Sequence, residues 1–301
     1  MAAELIDLNG EFFLGNYFTL EVAENLCDIL DDSYRVVVKY GLGEKAMPYF
    51  NDDKKNVIIS TSRETHETPE EFFRDDVFAI FQHYFMLDEW GYPRYNPLVY
   101  PLPLGCFRDP NLEDIIPIPD REYDFCFIGQ IPHTGTRDCF KRNLDKLIEE
   151  TGDKFKYYVK FTDGFSRGLE KEKYFDILGN SKLSLCPQGA NSLETFRFFE
   201  SIAIGSIPVI ERLPKFWYYE EAPFFRGIWR EMDSCLSKIL NFLQTPASRD
   251  MLYGVAKYSN EVLNPKILAQ KLKEKLNIRE SNFFAQSEDL DNIRKEISNE
   301  F

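Results

Sequence analysis

The chain has 301 residues, 44% of them hydrophobic, with 27 Phe, 16 Tyr and 3 Trp, so disorder and a single small core are both excluded. Its 36 Lys and Arg against 50 Asp and Glu leave a net charge of −14, a field that repels nucleic-acid phosphates and anionic lipid. A small phosphorylated ligand stays compatible with it, because a few local cations can oppose the global charge.

The segment Met1–Asp7 has neither the basic start nor the apolar run of a secretory leader. The uncharged stretch Tyr95–Phe107 is interrupted by Pro97, Pro101 and Pro103 and is too short to span a bilayer. No transmembrane segment and a cytoplasmic location are therefore expected. Cys27, Cys106, Cys126, Cys139, Cys186 and Cys235 are scattered with no C-x-x-C pair, which predicts reduced, mostly buried thiols. Three histidines argue against a His-rich metal site.

In chain order, β-branched and aromatic runs predict strands at Arg35–Tyr40, Asn56–Thr61, Val77–Phe81, Tyr123–Gly129, Lys156–Phe161, Lys182–Cys186 and Ile207–Ile210. Helical periodicity falls between several of them, at Arg137–Glu150, Glu170–Leu178 and Ser192–Ile204. Strand alternating with helix predicts α/β, doubly wound parallel sheets. The Pro-rich segment Asn96–Pro119 breaks the rhythm and sets the division: residues 1–118, residues 119–278 and a charged tail over 279–301, either packed back on the first domain or loose. Met232–Asn277 is helical in pattern, with a break at Asn264-Pro265. The acidic doublets Asp31-Asp32, Asp52-Asp53 and Asp75-Asp76 are expected in solvated turns.

The most informative run is Ser181–Ile210, read as strand, glycine-containing loop (Pro187–Asn191), helix and strand, with Gly205 as the helix stop. Asn191 and Glu194 have the spacing of a capping box. A helix start after a strand and a Gly loop suits a phosphate, since free N–H groups and the positive dipole end face the anion. Arg197 and Glu200, at i and i+3, lie together on that helix. Either they serve a diphosphate and a ribose, or they are an ordinary pair on an amphipathic surface.

This run resembles the C-terminal signature of exostosin-type glycosyltransferases. The matching residues are Leu185-Cys186-Pro187-Gln188-Gly189, then Thr195-Phe196-Arg197-Phe198-Phe199-Glu200, then Gly205-Ser206-Ile207-Pro208-Val209-Ile210. Upstream, Phe127-Ile128-Gly129 followed by Arg137 fits a second element of the pattern, and Pro103-Leu104-Gly105 a third. Thr195 and Ser206 stand where serine and cysteine are common. The resemblance covers about residues 123–215 and implies a GT-B fold, two Rossmann-like doubly wound domains facing a central cleft.

It also implies a nucleoside-diphosphate sugar on the second domain and a glycan or glycolipid acceptor on the first. The reaction implied is a hexosyl or pentosyl transfer of the polysaccharide-biosynthesis kind, inverting, with no metal or other cofactor. Carried over residue by residue, Gly129, Gln188, Gly189, Asn191, Ser192 and Thr195 approach the donor, and His133, by its place beside Gly135 and Arg137, suits the same contact. Arg137 and Arg197 neutralise its diphosphate, and Glu200 holds the ribose. The general base rests on placement alone. Glu64 and His66, in a polar loop after a predicted strand, are the catalytic candidates. His83, flanked by Phe81, Tyr84 and Phe85, is expected to be a packed structural histidine. Phe216, Trp217, Tyr218 and Tyr219 either stack on a sugar or base, or fill a helix–sheet contact. Two other functions stay open: a nucleotide-sugar epimerase of GT-B-like fold, and a non-catalytic glycan-binding or scaffold protein. Oligomeric state is left undetermined.

Overall fold

The computed structural model describes residues 2–8, 17–40, 47–61, 68, 70–85, 87, 96–106, 116–131, 136–162, 164, 168–189 and 192–281. The first sheet comprises β1 (Glu4–Asp7), β2 (Tyr34–Tyr40), β3 (Lys55–Thr61), β4 (Val77–Gln82) and β5 (Val99–Pro101), in that order and parallel throughout. The runs of β2 to β4 are nearly continuous in apolar residues, as parallel strands covered on both faces require. Val36, Val38, Val57, Ile59, Ala79 and Phe81 pack with helix α1 (Tyr17–Ile29), while Val37, Ile58 and Ile80 face the larger core. Strands β1 and β5 are absent from the sequence expectation: both are short edge strands, and β5 ends in a proline, which an edge tolerates.

Just beyond β5, Gly105 has φ +61°, and a Cβ there would fall inside the ring of the buried Phe18. Left-handed backbone and overpacking then act together. Gly105→Ala is expected to destabilise the fold by roughly 2–5 kcal/mol in urea titration. A loss under about 1 kcal/mol would mean that Phe18 has room to move.

The second sheet is built from β6 (Tyr123–Gln130), β7 (Tyr157–Thr162), β8 (Ser181–Leu185), β9 (Ile207–Ile210) and β10 (Phe225–Arg226). Its strands are again all parallel, in the order β10-β9-β8-β6-β7. The chain starts at β6, steps to one side for β7, then returns to the other side for β8. That reversal is the doubly wound signature, and it opens a crevice at the carboxyl ends of β6 and β8. Helices α2 (Thr136–Thr151), α3 (Lys171–Gly179) and α4 (Phe196–Ala203) connect the strands. Phe125 and Phe127 share a core with Phe140, Leu144 and Leu147 of α2; Cys126 and Ile128 share one with Phe175, Ile177 and Leu178 of α3.

The helical region has one more break than its pattern predicts. It forms α5 (Met232–Leu243), α6 (Ser248–Val262) and α7 over 265–281. Asn264 caps α7, its Oδ1 accepting from the Lys266 and Ile267 amides at 3.0 and 3.3 Å, with Pro265 in the first helical position. Leu268, Ala269, Leu272 and Leu276 of α7 bury into the core of the first sheet beside α1. Lys273 Nζ donates to the Ile29 carbonyl at 2.6 Å, and Glu280 accepts from the Tyr34 hydroxyl at 2.7 Å and pairs with Lys55. Residues 282–301 of the tail lie outside the described residues.

The acidic doublets are not uniformly solvated. Asp31 closes a turn on Ser33, but Asp52 pairs with the buried Arg35, and Asp76 accepts from Arg74 and from the Phe50 amide. Chain neighbours alone do not reveal those partners. All six cysteines are free, and five are buried. Among the described residues no helix is long and apolar enough to cross a membrane.

Candidate functional site

The crevice between β6 and β8 is where two of the sequence elements meet. Arg137, in the first turn of α2, donates from Nη1 to the Gln130 carbonyl at 2.9 Å and from Nε to the Gln188 carbonyl at 2.5 Å. It thereby ties the end of β6 to the loop that follows β8. Arg197, in the first turn of α4, crosses the end of β6 from the other side. Its Nη2 donates to the Ile128 carbonyl, and its guanidinium lies 4.6 Å over the Phe127 ring. Carbonyls two residues apart on a strand point the same way, about 7 Å from one another. Both guanidinium groups are therefore anchored on one strand end.

Gly129 explains how the chains come so close. A Cβ at that position would fall inside contact distance of Arg197 Nη2. Arg197 itself is incompletely satisfied: Nε and Nη1 are buried and meet no hydrogen-bond acceptor. Nearby thiols do not supply the missing negative charge. Burial pushes Cys126 and Cys186 up to about 11, against the opposing pull of Arg197, so both stay neutral. A half-buried guanidinium with two enclosed, idle nitrogens is costly in the free protein and ready for an anion.

Glu200 is buried and accepts from the Tyr174 hydroxyl at 2.6 Å. Burial first, then the Glu200 carboxylate, holds the Tyr174 phenol well above its usual range, so it remains a donor. Tyr174 belongs to α3, 26 residues from Glu200 in the chain, and no spacing in the sequence links them.

The segment before α4 departs from expectation. The helix starts at Phe196 rather than Ser192, and Thr195 precedes it in extended backbone without a side-chain cap. Glu194 makes no capping box. It is 2% exposed, and its Oε1 accepts from the Tyr218 and Tyr219 hydroxyls at 2.9 and 3.1 Å. Two phenols in a dry core outbid a helix N-terminus for that carboxylate. Ser192 Oγ accepts from the Glu194 amide at 3.0 Å, and Gly189 is buried beside Gln188. The far end of α4 follows the sequence closely: Gly205 has φ +73°, and the Gly205 and Ser206 amides donate back to Ile202 and Ser201, a Schellman stop. Phe216, Tyr218 and Tyr219 are buried core residues, which excludes the stacking role for them in this state.

Glu64, His66, His133 and Asn191 lie outside the described residues. His83 is enclosed, with Nε2 3.5 Å from Thr19 Oγ1, and burial lowers its pKa to about 3. Among the described residues no three His, Cys, Asp or Glu side chains are grouped to hold a metal ion.

Comparison with known proteins fits this placement. Residues 110–216 match the family model of the RXYLT1 C-terminal domain. That segment contains β6 to β9, both arginines and Glu200. No curated protein matches the chain. Among solved structures it is similar to AviGT4, a glycosyltransferase involved in avilamycin A biosynthesis, at 12% identity over 73% of each chain with a TM-score of 0.43. It is also similar to an α1,3-fucosyltransferase, at 13% identity over 83% of this chain and 80% of that one, TM-score 0.41. A third is an α-glucosyltransferase in complex with UDP and DNA, at 9% identity over 92% of this chain and 100% of that one, TM-score 0.44. Likenesses of that size carry no argument about activity. Two parallel α/β sheets of Rossmann-like order, as the GT-B expectation requires, are what the fold itself presents.

Proposed function

We propose that the chain is a glycosyltransferase that moves a sugar from a nucleoside-diphosphate donor to a hydroxyl-bearing glycan or glycolipid acceptor, with inversion and without a bound metal. The observation that carries the reading is Arg197, a half-buried cation with two enclosed, idle nitrogens at the strand-order reversal of the second sheet. A diphosphate is the ligand chemistry that such a group and its neighbour Arg137 fit best.

In the reaction, the acceptor oxygen bonds to the anomeric carbon while the bond from that carbon to the diphosphate oxygen breaks. The electron pair leaves with the diphosphate, where the two guanidinium groups spread the developing charge. The acceptor proton passes to a base, for which Glu64 and His66 remain the proposed candidates. Glu200, oriented by Tyr174, is the proposed ribose contact. Arginine supplies here what a divalent cation supplies elsewhere, so the donor site is expected to work without one.

Calorimetry with UDP and GDP, each with and without EDTA, tests this. Binding of one of them, unchanged by EDTA, is the expected result. Strict dependence on a divalent cation would remove the metal-free mechanism, and failure of both nucleotides would remove the donor assignment.

A further inference from the structure

Arg197 meets a ligand only if the first turn of α4 starts at one rotation and one height, and the helix itself fixes neither. It has eight residues, no side-chain cap, and extended backbone at Thr195 just before it. Helices this short are marginal on their own. The setting of the first turn therefore comes from contacts outside the helix.

Those contacts belong to a single helical turn, Trp217–Tyr219, in the chain after β9. The Tyr218 and Tyr219 hydroxyls donate to Oε1 of Glu194, three residues before Arg197. Their rings pack against the residues just after it. Tyr219 lies 5.3 Å from the Phe198 ring and 5.7 Å from the Phe199 ring, and Tyr218 lies 6.3 Å from Phe199. The same two side chains thus grip the chain on both sides of Arg197, with hydrogen bonds before it and rings after it. The clamp is itself braced. Trp217 Nε1 donates to the Pro101 carbonyl at 3.3 Å, the Tyr218 hydroxyl lies 3.4 Å from the Leu102 carbonyl oxygen, and the Tyr258 hydroxyl donates to the Tyr218 carbonyl.

A carboxylate is not the residue that stability alone would select here. Glu194 is 2% exposed, and well-packed apolar side chains of similar volume often do as well or better in such a place. What a carboxylate adds is direction, since charge-assisted hydrogen bonds are short and constrained in angle whereas ring contacts slide. The phenols stay protonated to serve it: burial first, then the Glu194 carboxylate, holds Tyr218 and Tyr219 well above the usual phenol range. Direction matters most for the neighbouring arginine, because a displacement of about 1 Å at a group that meets the reacting centre can cost about 10²-fold.

We infer that Glu194 is a positioning residue: held by the Tyr218 and Tyr219 hydroxyls, it sets the first turn of α4 so that the idle nitrogens of Arg197 face the diphosphate. The inference rests on the donor assignment made above for Arg197.

Two substitutions separate geometry from charge. Glu194→Leu and Glu194→Gln both remove a negative charge, which by itself would strengthen anion binding, but only Gln keeps an oxygen that both phenols can reach. In calorimetry with inorganic pyrophosphate, the Leu variant is expected to bind about tenfold or more weakly than wild type, and the Gln variant within about threefold. Should the Leu variant not fold, Tyr219→Phe removes one of the two hydroxyls, keeps the ring contacts, and is expected to weaken binding about threefold. UDP or GDP, held also through base and ribose, shows whether Glu194 acts through the arginine. In an Arg197→Ala background, adding Glu194→Leu is expected to change nucleotide affinity by less than about twofold. An equal loss with and without Arg197, a Gln variant as weak as the Leu variant, or pyrophosphate binding unaffected by Glu194→Leu or Tyr219→Phe would overturn the inference and leave Glu194 a core strut. Nucleotide binding without the Leu–Gln contrast would remove the positioning role and leave the donor assignment standing. The contrast with pyrophosphate, but no binding of either nucleotide, would uphold the clamp on Arg197 and remove the donor assignment.

Discussion

Arg197→Ala is expected to lower kcat by roughly 10²–10³, the loss seen when one preorganised charge-stabilising group is taken from a transition state. The guanidinium is held on three sides, by the Ile128 carbonyl, the Phe127 ring and the absent side chain of Gly129, so little reorganisation remains for the moment of reaction. Stability should behave differently from activity. Removing a half-buried cation with two enclosed, unpaired nitrogens relieves a cost that offsets the lost packing over Phe127, and the melting temperature is expected to stay within a few degrees of wild type. Initial rates with donor and acceptor, alongside a thermal melt, separate the two quantities. A folded Arg197→Ala protein with unchanged kcat would make the arginine a structural strut. Gly129→Ala gives an independent check, because its methyl group displaces Nη2 without touching the charge.

The second large effect is on stability in acid. Burial lowers the pKa of His83 from 6.5 to about 3. Below pH 6.5 the unfolded chain takes up a proton at this site and the folded chain does not, so acid favours unfolding. The stability contributed is full above pH 6.5 and is lost as the pH falls towards 3, by about 1.4 kcal/mol per pH unit and roughly 5 kcal/mol in all. Glu4, Asp31, Asp52 and Glu280, whose carboxyls are held below their usual range, add losses of the same sign at lower pH. His83→Gln isolates the histidine: between pH 6.5 and 4.5 its urea-derived stability should be nearly flat where the wild type slopes. Parallel curves for the two proteins would place the proton uptake elsewhere.

Much of this architecture was legible because parallel strands write themselves as apolar runs. Tyr34–Tyr40, Lys55–Thr61 and Tyr123–Gln130 each lie within a residue of their expected limits. Gly205 was legible for a related reason, as only a residue free of a Cβ penalty ends a helix in that way. The start of α4 was misread because local spacing and tertiary contact compete for the same carboxylate. Glu194 has the position of a capping residue and the surroundings of a core one, and Tyr218 and Tyr219 are invisible to a three-residue window. Arg197, Arg137 and Gly129 stood out through motif resemblance; the mutual fit of Gly129 and Arg197 is a property of a strand end and a helix start that only the fold brings together.

Helix α7 bears on how the chain is made. The first sheet emerges early in synthesis, yet part of the core that covers Val36, Val38 and Ile59 comes from Leu268, Ala269, Leu272 and Leu276. Until those residues leave the ribosome, one side of the sheet is covered by α1 alone, and its apolar strands are open to mispairing and association. The intervening second sheet has its own helices on both faces and can close first. The half made first is thus the half completed last, by a contact that spans most of the sequence. Folding of this protein should therefore be governed by the arrival of its last helix, and a chain cut before residue 265 would lose the cover of a sheet it never reaches in sequence.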